Sequence, residues 1–169
     1  MHFAILEDME EIYKKDVLRL TAQMKPASIL VLGGECDLFN DYLHASPQSR
    51  ILCVSHGDYM QGISALYRVD LAFISGVLGR MNKREAEILL AELRDVHAQR
   101  VIVVSRESEG AAWQECDFLA MGMYRIGSYV TDDDEINVYT FDLYDYKPTP
   151  DWLNSKDWAH PELFDKHWW

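Results

Sequence analysis

Four short apolar runs constrain this chain more than any other feature. They are "ILVL" from Ile29 to Leu32, "RILCVS" from Arg50 to Ser55, "VDLAFIS" from Val69 to Ser75 and "RVIVVS" from Arg100 to Ser105. Each is too short for a buried helix and is apolar at consecutive positions, so both faces of each strand should be covered. Strands covered on both faces belong to parallel sheets, whose connections must cross over through helices. The expectation is therefore a three-layer α/β domain.

The spacers fit that scheme. Before the first run, Met9, Tyr13, Val17, Leu20 and Met24 recur at helical spacing, and Pro26 closes the segment. Between the third and fourth runs, "NKREAEILLAELRDVH" predicts the clearest helix: Asn82 caps it, Glu85 stands in the capping-box position, and Ala86, Leu89, Leu90, Leu93 and Val96 form the buried stripe. Shorter crossovers are expected around Asp37 to His44 and in "GDYMQGISALYR", the latter weakened by Gly57 and Gly62. A further helix is expected around Ala111 to Met121. After it, "YRIGSYV" and "NVYTFDLYDY" flank the acidic turn "TDDDEI", the pattern of an antiparallel hairpin added to the parallel sheet.

Composition narrows the function classes. A chain of 169 residues fits one domain with its own core. The net charge of -12 argues against nucleic acid or an anionic membrane surface as partner, since phosphate contacts need clustered Lys and Arg. A small molecule or a protein remains. The three cysteines, Cys36, Cys53 and Cys116, form no CxxC pair and read as reduced thiols, with Cys36 and Cys53 as small core residues. Reduced thiols and an N-terminus without a basic start or long apolar stretch point to the cytoplasm.

A leading helix, a first strand ending in Gly33 and Gly34, three more parallel strands and a closing hairpin together resemble the Rossmann-like fold of S-adenosylmethionine-dependent methyltransferases, over roughly residues 5 to 146. The remaining residues 147–169 form a tail whose ending, "DWLNSKDWAHPELFDKHWW", resembles a small family of uncharacterised bacterial proteins. The resemblance implies S-adenosylmethionine as cofactor. By position it implies a glycine loop at Gly33, Gly34 and Glu35, a ribose region at Ser55, His56 and Asp58, and a further strand exit at Ser75 and Gly76.

The departures from the family pattern are specific. Glycines in such a loop allow close backbone approach and positive φ, yet Glu35 and Asp37 occupy the second and third glycine positions and would bring negative charge toward the cofactor's carboxylate. The second strand does not end in an acid. The interval from His56 to Arg68 cannot hold the helix, strand and helix that the family places there, given strands of ~5 and helices of ~11 residues. One strand–helix unit is therefore expected to be missing, leaving any adenosine pocket open.

Each candidate has a structural alternative. Gly33 and Gly34 would also suit a plain tight turn with Glu35 or Asp37 offsetting the positive end of a helix. His56 suits a general base but has no partner at a convincing spacing, so no catalytic residue is assigned. The scattered histidines give no metal-ligand pattern. Trp152, Trp158, Trp168 and Trp169 crowd the tail; they would anchor it on the domain or form a partner or homodimer interface. The sequence thus reads as a divergent methyltransferase-like domain without methyltransferase activity, binding a small ligand or a protein at the strand ends. An active methyltransferase of a small acceptor and an assembly module built on the aromatic tail are the alternatives.

Overall fold

Among the described residues, six strands form one sheet in the order β2-β1-β3-β4-β6-β5. The computed structural model describes residues 2–55, 57, 59–64, 66–109, 113–130 and 134–145. The strands are β1 (Ser28–Gly33), β2 (Arg50–Val54), β3 (Val69–Ser75), β4 (Ala98–Arg106), β5 (Tyr124–Val130) and β6 (Glu135–Asp142). The helices are α1 (His2–Met24), α2 (Asn40–Ala45), α3 (Tyr59–Ser64), α4 (Lys83–Glu92) and α5 (Glu115–Ala120). The first four strands pair in parallel, and β6 inserts antiparallel between β4 and β5. This is the expected mostly parallel sheet with a C-terminal antiparallel pair. Its missing unit leaves β2 as the edge strand among the described residues.

Alternation along β1 divides the core. Leu30 and Leu32 face a cluster with Ile63 of α3, Ala86, Leu89 and Leu90 of α4, and Phe118 of α5. Ile29 and Val31 face the other side, with Tyr13 and Val17 of α1, Phe39, Phe73 and Tyr129. Both faces of the central strands are thus covered, as their unbroken apolar runs require. β2 departs from that expectation: Leu52 is 42% exposed and Cys53 is exposed. The cause is its edge position, where a further strand and helix would otherwise cover it.

Two helices show how packing overrides simple periodicity. In α1 the buried line is Tyr13, Val17 and Thr21, so Thr21 replaces the expected Leu20; its hydroxyl is satisfied by donating to the Val17 carbonyl at 2.9 Å. In α4 the Asn82 side chain accepts from the Glu85 amide at 2.9 Å, as the cap pattern predicts. Beyond it, residues Leu93–His97 form a π-helical turn. The wider turn slips the register, leaving Val96 52% exposed and burying His97 in its place.

Cys36 and Cys53 form a disulfide, with Cα atoms 6.0 Å apart, while Cys116 is free and exposed. The expectation of three reduced thiols, and of Cys53 as a core residue, is thereby corrected. The parallel β1·β2 register sets Cys53 beside Val31, and the turn after β1 returns Cys36 to the same edge. Cysteine usage consequently gives no argument for a reducing compartment. No helix among the described residues is long and apolar enough to cross a membrane. The tryptophans of the tail, residues 147–169, lie outside the described residues.

α1 is tied to the hairpin by the Tyr129 hydroxyl, which donates to Asp16 at 2.6 Å. Burial, reinforced by that carboxylate, pushes the hydroxyl up to about 12. In the unfolded chain a tyrosine ionises near ~10, so the folded state holds its proton longer. The resulting stabilisation is complete below pH ~10 and is lost as the pH rises toward ~12. Thermal unfolding measured from pH 8 to 11.5 should show a decline above pH 10 that Tyr129→Phe flattens; parallel declines in the two proteins would refute the assignment.

Candidate functional site

The register aligns the carboxyl ends of the parallel strands. Leu32 is level with Val54 on one side and Ile74 on the other, Gly33 is level with Ser75, and Ser75 with Val104. One step further the chain leaves the sheet at Ser55, Gly34 and Gly76, while β4 runs on through Ser105 to Arg106, paired with β6. Small residues therefore mark the exits of β1, β2 and β3, with Gly34 exposed at the first of them. Open parallel sheets bind ligands at this edge.

Gly33 and Gly34 have different reasons to be glycine. Gly33 has φ +110°, and a Cβ there would collide with the Ser75 carbonyl, so β1 and β3 can close on each other only without a side chain. Gly34 is exposed, and a Cβ on it would meet nothing within 4 Å. The first glycine is fixed by the fold. The second faces open space.

Glu35 does not turn its charge onto this ledge. Its Oε1 accepts from the Tyr13 hydroxyl at 2.6 Å, and Arg106 Nη2 lies 4.0 Å away while also donating to the Tyr13 hydroxyl at 3.2 Å. The carboxylate is thus drawn toward α1, and its Oε2 is buried without a partner among the described residues. Phe39 is likewise turned inward, edge-on to Phe73 with ring centroids 5.2 Å apart. Asp37 is exposed and accepts from the Asn40 amide at 3.3 Å.

Of the candidate positions, Gly33, Gly34, Ser55, Ser75 and Gly76 converge on the strand exits, and Glu35 adjoins them but faces α1. His56 and Asp58 lie outside the described residues. Gly57, read from sequence only as a helix-weakening residue, has φ +105° and open space where a Cβ would stand. The sequence pattern does not mark Tyr13 and Arg106 as neighbours of the loop. Arg106 carried a usable signal, a cation at the exit of an apolar strand; Tyr13 had none beyond its place in a helix stripe.

Two clefts adjoin this edge. One, of about 660 Å³, lies beside the β2 exit and is lined by Gly57, Tyr59, Met60, Arg80, Met81 and Glu85, among others. The other, of about 280 Å³, lies at the β4 exit, where Ser105, Arg125 and Asn137 meet an aromatic wall. That wall is built from Tyr139 stacked on Phe118 at 4.0 Å and Trp113 at 5.0 Å from Phe118. The Trp113 indole N–H is buried without an acceptor among the described residues.

The sheet order and the glycine turn give a Rossmann-like α/β fold that resembles the fold of S-adenosylmethionine-dependent methyltransferases, and solved structures share it. Magnesium protoporphyrin IX methyltransferase (ChlM) from Synechocystis PCC 6803, with bound SAM, matches with a TM-score of 0.57 at 10% identity, covering 80% of this chain and 80% of that one. The N-terminal domain of EvdMO1 with SAH bound matches at 0.53 and 13% identity, over 76% of this chain and 80% of that one. The bifunctional kinase-methyltransferase WbdD matches at 0.53 and 16% identity over 81% of this chain, which spans only 39% of that protein's chain. At these identities the likeness is one of fold. The chain belongs to the family of unknown function DUF6231, whose match runs over residues 11–169. No curated protein matches it by sequence.

The two glycines make a direct test of this geometry. Gly33→Ala should destabilise the protein by about 2–4 kcal/mol, through positive φ and the clash with Ser75. Gly34→Ala should be neutral or stabilising by up to ~1 kcal/mol, because it only restricts the unfolded chain. Urea unfolding of both variants measures the contrast, and equal losses would contradict the two roles.

Proposed function

We propose that the protein is a small-molecule-binding domain that takes an adenosyl ligand of the S-adenosylmethionine type at the carboxyl ends of β1, β2 and β3, without catalysing methyl transfer. The observation that carries this reading is the division of labour in the turn. Gly34 leaves backbone bare toward open space, while the carboxylate of Glu35 is held by Tyr13, away from the ledge. The charge conflict inferred from sequence at Glu35 therefore does not arise.

The reading extends to the larger cleft, which is lined from beyond the β2 exit, from α3 and from the start of α4, and into which a ligand resting on Gly34 would direct its purine. Its volume of about 660 Å³ falls within the range of ordinary ligand sites. Tyr59, Met60 and Met81 offer apolar wall to a purine, and Arg80 and Glu85 offer charged groups at its rim. The open β2 edge, where the family's extra strand and helix would stand, favours a ligand held loosely and released unchanged. Exposed Asp37 in place of the third glycine fits that weaker grip.

Titration calorimetry with S-adenosylmethionine and S-adenosylhomocysteine tests the proposal. Micromolar to sub-millimolar binding of both is expected, with no methyl group lost from the first on prolonged incubation with the protein and small nucleophiles. Gly34→Leu should abolish binding and leave the unfolding transition intact. Absence of binding at millimolar ligand would overturn the reading, and turnover to S-adenosylhomocysteine would replace it with an active methyltransferase.

A further inference from the structure

Cys36 stands two residues after Gly34, and its disulfide partner lies on the exposed edge strand. The bond therefore ties the candidate binding turn to β2 at a point where solvent reaches Cys53. On either side of this tie the turn is held differently. Gly33 is fixed by pairing with Ser75, Glu35 by the Tyr13 hydroxyl, and Phe39 by burial against Phe73. A Cβ on Gly34 would meet nothing within 4 Å, and the disulfide is the covalent cross-link from the segment between Gly34 and Asp37 to β2.

We infer that the Cys36–Cys53 pair is a thiol–disulfide switch that fixes the binding turn when oxidised and loosens it when reduced. Exposed disulfides are the reducible kind, because an attacking thiolate needs access to a sulfur atom. A thiolate of a dithiol reductant would attack the accessible Cys53 sulfur, breaking the bond to Cys36, which leaves as a thiolate and takes up a proton. The reductant's second thiolate then attacks the mixed disulfide, closing the reductant into a cyclic disulfide and releasing Cys53. Two electrons pass from dithiol to protein, which ends with two thiols. The fold does not depend on the bond, since α1, Phe39 and the β1·β3 pairing hold both ends of the turn without it. Ligand affinity does depend on it, because the stretch around Cys36, between the Glu35 and Phe39 anchors, then loses its cross-link to β2 and must be ordered at the moment of binding.

This inference rests on the adenosyl-ligand reading for its affinity effect, and the experiment separates the two. Binding of S-adenosylhomocysteine is measured on the oxidised protein, on protein reduced with dithiothreitol, and on the Cys36→Ser/Cys53→Ser variant. Iodoacetamide labelling and mass spectrometry confirm each state, with one label when oxidised, on Cys116, and three when reduced. Reduced protein should bind about tenfold more weakly, and the double variant should match it and ignore dithiothreitol. Equal affinity with the bond shown to be open would overturn the switch. If no form binds, the ligand reading fails alone, and hydrogen exchange decides: faster exchange over residues 34–37 on reduction upholds the switch, and unchanged exchange there overturns it.

Discussion

The close approach of β1 to β3 at Gly33 and Ser75 governs the rest of the molecule. Parallel pairing of these two central strands sets the row in which Leu32, Val54, Ile74 and Val103 lie level, and so brings all four exits to one edge. A side chain at Gly33 would push the strands apart at the point where they leave the sheet. The positive φ that follows turns the chain toward Glu35 and the α1 face. Fold and site therefore share one steric requirement, which explains why a glycine survives there even though the later glycines of the family pattern do not.

From that pivot the turn divides into an anchored half and a free half. Glu35 and Phe39 look inward: one is hydrogen-bonded to Tyr13 near Arg106, the other is packed on Phe73. Gly34 and Asp37 look outward. A partly buried carboxylate needs hydrogen bonds or a nearby cation to offset its lost hydration, and α1 and β4 supply both from residues far apart in sequence. The acidic residue that looked most hostile to a ligand is thus better understood as a strut joining the turn to the leading helix.

Much of the fold was legible because it rests on local rules. Runs such as Val69 to Ser75 could only be strands buried on both faces, and the Asn82 cap and the stripe through Leu89 and Leu90 marked α4 without reference to any neighbour. What failed depended on partners distant in sequence. Leu52 and Cys53 read as core because their run resembles the others, and only the sheet order makes them an edge. The Cys36–Cys53 pairing follows from the β1·β2 register, which composition does not encode. The exchange of Val96 for His97 comes from a π turn that helical periodicity does not anticipate. The direction of Glu35 likewise required knowing that Tyr13 and Arg106 converge on it.

The shortened crossover ties these points together. With α3 as the one helix between β2 and β3 among the described residues, the described sheet stops at β2, an edge strand on which Leu52 and Cys53 are exposed. Open edges are normally shortened, charged or covered, because unpaired backbone groups invite further pairing. Here β2 is short, begins with Arg50, and is stapled to the turn beside it. The bond that restrains the edge is therefore the same bond that restrains the ledge above Gly34. The short crossover thus has two linked consequences, a wider approach to the strand ends and a turn that carries a covalent tie to the edge strand in addition to its anchors at Gly33, Glu35 and Phe39.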